Sequence, residues 1–515
     1  MINYLPVQWL QTVIKSCMQY IQLDQNSDKP RITNNCMQLH TIYSNFTEQE
    51  RRFIHHLIHD QFESNDALLI LSYIINNIKI ESFNYDVSEH ILKSDFDCFD
   101  QIMLETQLVF LNDIPYDTMR KIHRKNISCL RTNLDFSFSY IPVKKRNNNK
   151  IVIITEQLLL NNHHAPTLMT LEIAFTLQKY FHYDVEIFTC TSNKQLPKYL
   201  WTLTKGFNSA EFGYEQIPYK NSILYVRQYP LASSNFSDYQ QLLTSIYDFN
   251  PLFVLCLGVN SPIADLPHFF TTVVNLNTVT DAPVSEADIF IRYTKLDDSI
   301  ETLYNNELLP HQQQIFMNQN FPAIVNTNAE TFTRKELNLP EDEFLICLVS
   351  NRLDTEVSPS FRQLMCSVLQ LNSAIDFVVI GIVHELREYF ENTIYQDRIH
   401  YLGFCPDLLG VYRTLNLYLN PERTGGGWSS AIALRAGLPV VTLPNCDVAY
   451  NVSETFTVTN EEQMIETILQ YASDNVFYNT KHQQALDFAS QNGENKVIDF
   501  LSEMLTKVKE ALPND

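Results

Sequence analysis

The sequence predicts an α/β protein: two consecutive parallel sheets preceded by a mainly helical N-terminal module. Three observations carry this. Short, continuous apolar runs recur from residue 151 onward, in two series separated by stretches of helical length; strands of that kind are covered on both faces. The length of 515 residues exceeds one domain. Hydrophobic residues make up 45% and aromatic residues 12%, as in a chain that fills a core.

Residues 1–149 read as mostly helical. "EQERRFIHHLIHDQFE" and "NDALLILSYIINNIKI" place apolar residues at three- and four-residue spacing, with Asn65 and Asp66 set to cap the second. "KKRNNNK" (144–150) has no apolar residue and marks a boundary. The first strand series is "IVIIT" (151–155), "DVEIFT" (184–189), "ILYVR" (223–227), "FVLCL" (253–257), "TVVNL" (272–276) and "DIFIR" (288–292), with a helix over about 167–180 after the first strand. After "KELNLPEDE" (335–343) comes the second: "FLICLVS" (344–350), "DFVVIGI" (376–382), "IHYLG" (399–403), "LYLN" (417–420) and "PVVTL" (439–443). A helical C-terminus covers about 480–511. The predicted units are 1–149, 150–333, 334–475 and 476–515.

A net charge of -22 repels phosphate backbones, so nucleic acid and anionic membrane are poor partners. Ten scattered cysteines, without a CxxC pair, suit a reducing compartment. The start "INYLPVQWLQ" lacks a basic region before a long apolar core, and "ALLILSYII" (67–75) is too short to span a bilayer. The expectation is a cytoplasmic protein with no transmembrane segment. "HHLIHD" (55–60) offers His55 and His59 but no third metal ligand. "DFD" (95–97) lies in the helical region, and "HELRE" (384–388) lacks a second histidine. No metal site is expected.

The informative stretch is "NPERTGGGWSSAIALRAGLPVVTLP" (420–444), because a chain with 11 glycines sets three of them in a row. "LYLN" is a strand, Thr424 to Gly427 the loop after it, and Ser429 to Ala436 a helix that Gly437 ends. Ligands of open parallel sheets bind beyond the strands' carboxyl ends. Gly425, Gly426 and Gly427 would let backbone N–H groups approach a ligand, and Ser429 and Ser430 stand at the positive end of a helix. That is an anion site, with diphosphate the natural anion. A tight turn with a serine cap would use the same residues.

The segment from "RKELNLPEDEFLICLVSNRLD" to "PVVTLPNCDVAYNVSETF" resembles the donor-binding half of GT-B glycosyltransferases, which have two Rossmann-like domains facing a cleft. The last block is also similar to O-linked N-acetylglucosamine transferases and bacterial cytoplasmic protein N-glycosyltransferases. The resemblance covers about 320–460, is weaker over 150–320 and is absent over 1–149. It implies that Arg352 in "SNRLD" meets the donor diphosphate, as a guanidinium forks onto phosphate oxygens; an ion pair with Asp354 or Glu356 is the alternative. It implies that Gly426, Gly427, Trp428 and Ser429 cradle the phosphates and that Gly403 and Phe404 hold the base. In the facing domain it places "TEQLLLNNHHAPTLMTLE" (155–172) and "GVNSP" (258–262) at the cleft, with His164 as acceptor base and Gly258 on the wall.

Two glutamates of many retaining relatives correspond to Thr424 and Ile432, and Glu422 either substitutes in part or faces solvent. This points to an inverting enzyme, or to a non-catalytic subunit that binds a glycan or glycoprotein and assists a partner glycosyltransferase. A nucleotide-sugar epimerase shares the fold but needs more charged groups. The expected function is metal-independent sugar transfer from a nucleotide-sugar, a UDP-sugar first, to a protein or glycan. No cofactor is expected, and a partner subunit or homo-oligomer is the expected assembly.

Overall fold

The computed structural model describes residues 4–22, 29–61, 70–71, 73–74, 78, 88–89, 91–93, 98–108, 114–155, 158, 165–190, 213–228, 236–258, 261–278, 283–293, 298–322, 329–423, 425–444, 446–490 and 494–513.

Three N-terminal helices, Tyr4–Gln22, Lys29–Ser44 and Glu48–Gln61, share one core. Trp9, Val13 and Cys17 fall at four-residue spacing and are buried against Leu39, Tyr43 and Ile54. The third helix starts with a capping box. Glu50 accepts from the Thr47 backbone N–H at 2.8 Å, and the Thr47 hydroxyl accepts from the Glu50 N–H at 3.3 Å. Most of the predicted helix over 65–80 lies outside the described residues. A further helix, Tyr116–Asn133, joins this module to the first sheet. On it His123 is wholly buried between Glu105 and Asp265, with Nε2 to Asp265 Oδ2 at 2.7 Å. On the same helix Arg120 and Arg124, one turn apart, both reach Glu286 Oε1, at 2.9 and 2.8 Å.

The first sheet has eight strands: β1 (Asn147–Thr155), β2 (Asp184–Thr189), β3 (Gly213–Tyr219), β4 (Ser222–Gln228), β5 (Pro251–Leu257), β6 (Val273–Leu276), β7 (Ile289–Arg292) and β8 (Gln313–Phe316). Their order is β3-β4-β2-β1-β5-β6-β7-β8, parallel throughout except the β3–β4 hairpin. Central β1 and β5 carry the most apolar runs, and Ile151–Ile154 and Phe253–Cys256 are fully buried. Each such large side chain contributes about 1.5–3 kcal/mol on burial. β1 starts inside the polar run that marks the sequence boundary.

The second sheet is parallel: β9 (Phe344–Val349), β10 (Ile375–Ile380), β11 (Ile399–Gly403), β12 (Leu417–Leu419) and β13 (Val440–Val441), in the order β11-β10-β9-β12-β13. The register aligns Val349 with Ile380 and Leu419 with Val441, so these strands end together along one edge. The C-terminal helices divide between the sheets. Helix Asn475–Ser490 buries Ala485 and Ala489 in the second core, whereas Glu494–Ala511 returns to bury Val497, Phe500, Leu501 and Met504 in the first. No described helix is long and apolar enough to cross a membrane.

Candidate functional site

At the carboxyl edge of the second sheet, β9 ends in Ser350–Arg352, and a short helix, Leu353–Glu356, follows. One turn along it, Glu356 accepts from Arg352 Nε at 2.8 Å. Its other oxygen accepts from Arg423 Nη1 at 2.8 Å. Burial pushes the Glu356 carboxyl up, but Arg423 and Arg352 outweigh it and hold it below its ordinary range. The two cations differ. The Arg352 side chain is 60% exposed, the Arg423 side chain 2%.

Arg423 lies beneath the glycine loop with its donors committed to Asn420 Oδ1 at 2.8 Å, Val349 O at 3.0 Å and Tyr418 Oη at 2.8 Å, besides Glu356. It ties the end of β12 to the end of β9. Sequence reasoning passed over it, although it stands just before the glycines; nothing in "NPERTGGG" says that this arginine turns inward.

The three glycines answer three constraints. Gly425 and Gly426 have φ of 88° and 85°, in the left-handed region. A Cβ on Gly426 would stand 2.6 Å from Arg423 Nη2, and one on Gly427 would stand 2.4 Å from Asn451 Nδ2, where the helix Asp447–Val452 comes close. The Gly425 N–H donates to the Asp447 carboxylate. Gly426 caps the helix Gly427–Arg435. Ser429 donates to Gly426 O at 2.9 Å and bonds the Tyr418 hydroxyl at 2.9 Å, while the buried Ser430 donates to Gly427 O at 2.8 Å.

A cavity of about 860 Å³ opens over this loop. That lies within the usual 300–1,000 Å³ of small-molecule sites. Arg352, Phe404, Gly426, Trp428, Ser429 and Ile432 line it. Leu168, from helix Ala165–Lys179 after β1, lines it from the first sheet's side, so the cavity lies between the two domains. Phe404 is 56% exposed beyond β11. Asp407 also lines the wall, where its Oδ1 accepts from the Gly410 N–H at 2.9 Å.

Other expected residues fall elsewhere. Gly403 (φ 68°) precedes Phe404 at the end of β11, Gly425 lies in the loop and Gly427 opens the helix after it, but none of the three lines the cavity. The buried Ser430 does not line it, and Glu422 is exposed and lies off it. Gly258 ends β5 with φ of 58°, where a Cβ would stand 2.4 Å from Thr278 Oγ1. It occupies the carboxyl edge of the first sheet but not the cavity wall. His163, His164 and Thr424 lie outside the described residues.

No family model matches this chain, and no curated protein matches it in sequence. Solved structures do. A mutant Thermobaculum terrenum O-GlcNAc transferase aligns over 99% of this chain and 99% of its own, with 11% identity and a TM-score of 0.57. An α,α-trehalose 6-phosphate synthase from Burkholderia multivorans aligns over 71% of this chain and all of its own, with 9% identity and a TM-score of 0.48. TarM aligns over 70% and 98%, with 11% identity and a TM-score of 0.47. The first alignment takes in the N-terminal helices, which no sequence resemblance reached. Two parallel sheets, a cleft lined from both and a last helix that returns to the first sheet give this chain the GT-B glycosyltransferase fold.

Proposed function

We propose that the chain is a glycosyltransferase that takes a sugar from a nucleotide diphosphate donor, a UDP-sugar first, and passes it to a protein or glycan. One observation carries this reading: Arg352 and the capped start of helix Gly427–Arg435 line one interdomain cavity of suitable size. As the bond between sugar and diphosphate breaks, negative charge grows on the departing phosphate. A guanidinium and helix N–H groups stabilise that charge without an ion in the cleft. Arg423 and Glu356 act as positioning residues, fixing the loop and Arg352. Phe404 offers an exposed ring for the base.

His164 is the acceptor base in this scheme. It directly precedes the helix whose Leu168 lines the cavity, and imidazole titrates near neutral pH. The ten cysteines are scattered without a CxxC pair, a usage that favours a cytoplasmic setting. The N-terminal helices would recognise the acceptor, a partner subunit or a second copy.

The competing reading, a GT-B subunit without chemistry of its own, has one observation in its favour. Ile432 lines the cavity where relatives present an acid to the ribose. Titration with UDP, GDP, ADP and CMP compounds, then a hydrolysis assay on whichever binds, separates the two. Binding with turnover supports the enzyme. Absence of any nucleotide binding defeats it.

A further inference from the structure

Asp288 stands at the amino end of β7, on the edge of the first sheet opposite the cleft. Its Oδ2 accepts from the Val273 N–H at 2.7 Å. Its Oδ1 lies 4.0 Å from His268 Nδ1 and 3.9 Å from His311 Nε2. Neither separation is a hydrogen bond. The three side-chain ligand atoms nevertheless lie within 4.8 Å of one another. They come from three segments: the turn Leu266–Phe269, the start of β7 and the turn before β8. Sequence spacing cannot show such a trio, because more than forty positions separate the two histidines.

A cavity of about 220 Å³ adjoins Asp288 and His311 and is lined also by Thr271, Thr272 and Ala511. Thr271 is 1% exposed, and its hydroxyl has no hydrogen-bond partner among the described residues. A buried, unpartnered hydroxyl in a cavity wall calls for a water or an ion-bound ligand.

We propose that His268, Asp288 and His311 bind a divalent transition-metal ion, Zn2+ by their donor set, at a site remote from the cleft. Two imidazoles and a carboxylate are a common set for this ion, with a fourth position left to water. The small cavity beside Asp288 and His311, with Thr271 in its wall, offers room for that water. Tetrahedral bonds of about 2.0–2.1 Å set ligand atoms roughly 3.4 Å apart, so the trio closes by about half an ångström or more. His311, with a side chain 47% exposed, has room to move. The ion would tie the entries of β7 and β8 together.

The test uses the full chain, stripped with chelator and titrated with ZnCl2 by calorimetry, then with CoCl2 while visible absorption is followed. One ion per chain is expected, with a visible Co2+ band and a higher melting temperature on Zn2+ addition. Loss of a supporting second-sphere group typically costs 10- to 100-fold in affinity, so loss of the ligand itself in His311→Ala should weaken binding at least about tenfold. His311 is half exposed, so the variant should fold; Asp288→Asn, at a half-buried position, is the second arm and should weaken binding likewise. An affinity unchanged in His311→Ala would assign binding to other histidines and overturn the proposal. So would no Zn2+ binding by the wild type.

Discussion

At the seam between the N-terminal helices and the first sheet, His123 lies between Glu105 and Asp265 with no side-chain exposure. At the cleft, Glu356 lies between Arg423 and Arg352, and Arg352 is 60% exposed. In the first cluster a cation sits between two anions, in the second an anion between two cations. The seam is closed on every side, so its charges serve to join elements. The cleft cluster is closed on one side only: Arg423 holds the loop, and Arg352 presents charge to a cavity. Burial, not residue type, separates the arginine that holds the loop from the one that presents its side chain at the cavity wall.

Breaking the seam should have the largest effect. Asp265→Ala removes a partner of His123 and the acceptor for Ser285 Oγ, which donates at 2.8 Å. His123 keeps Glu105, but breaking one buried ion pair and stranding the Ser285 and Glu286 donors should cost about 3–5 kcal/mol, read by denaturant unfolding. If stability falls by less than about 1 kcal/mol, the seam does not hold the module in place.

Gly426→Val should come next, at about 1–3 kcal/mol, because φ is 85° and the Cβ would meet Arg423. Donor binding should fall with it. Arg352→Ala should separate the two effects: stability within about 1 kcal/mol, as expected for an exposed pair, but nucleoside diphosphate affinity down about ten- to a hundredfold, with bare nucleoside little changed. Equal losses for both ligands would place Arg352 outside phosphate recognition.

The pH profile is the remaining test, and it has opposite signs at the two clusters. Burial pushes His123 down, but Glu105 and Asp265 outweigh it and raise it to about 10. That stability is complete below the unfolded-state value, near 6.5, and is lost as pH rises through about 10. Glu356 is held low, so its contribution is present above its unfolded value and is lost as pH falls through its folded one. Thermal melts of the wild type and Asp265→Ala across pH 6–10 should converge toward the alkaline end; parallel curves would put the titration elsewhere.

In the first sheet the strands legible in the sequence are the interior ones, whose faces are both covered. β3 ("GYEQIPY") and β8 ("QQIF") were not foreseen, since each lies at an edge of the sheet and carries polar residues outward. The glycine loop was legible because left-handed backbone leaves a mark in composition. Arg423, the Asp447 bond and the seam were not, for a polar residue's burial depends on partners far along the chain. Helix Glu494–Ala511 shows its apolar spacing plainly, yet periodicity names a face and not the surface it meets.

That returning helix has a mechanical consequence. The chain leaves the first domain after Phe321 and comes back into it from helix Asn475–Ser490. Two separate spans of backbone therefore bridge the halves, and Asn320 Nδ2, bonded to Tyr450 O at 2.7 Å, lies beside one of them. A single tether would permit swivelling in any direction. Two links restrict the relative twist of the halves more than one would, and the 860 Å³ space that Leu168 and Gly426 both line lies between the parts they join.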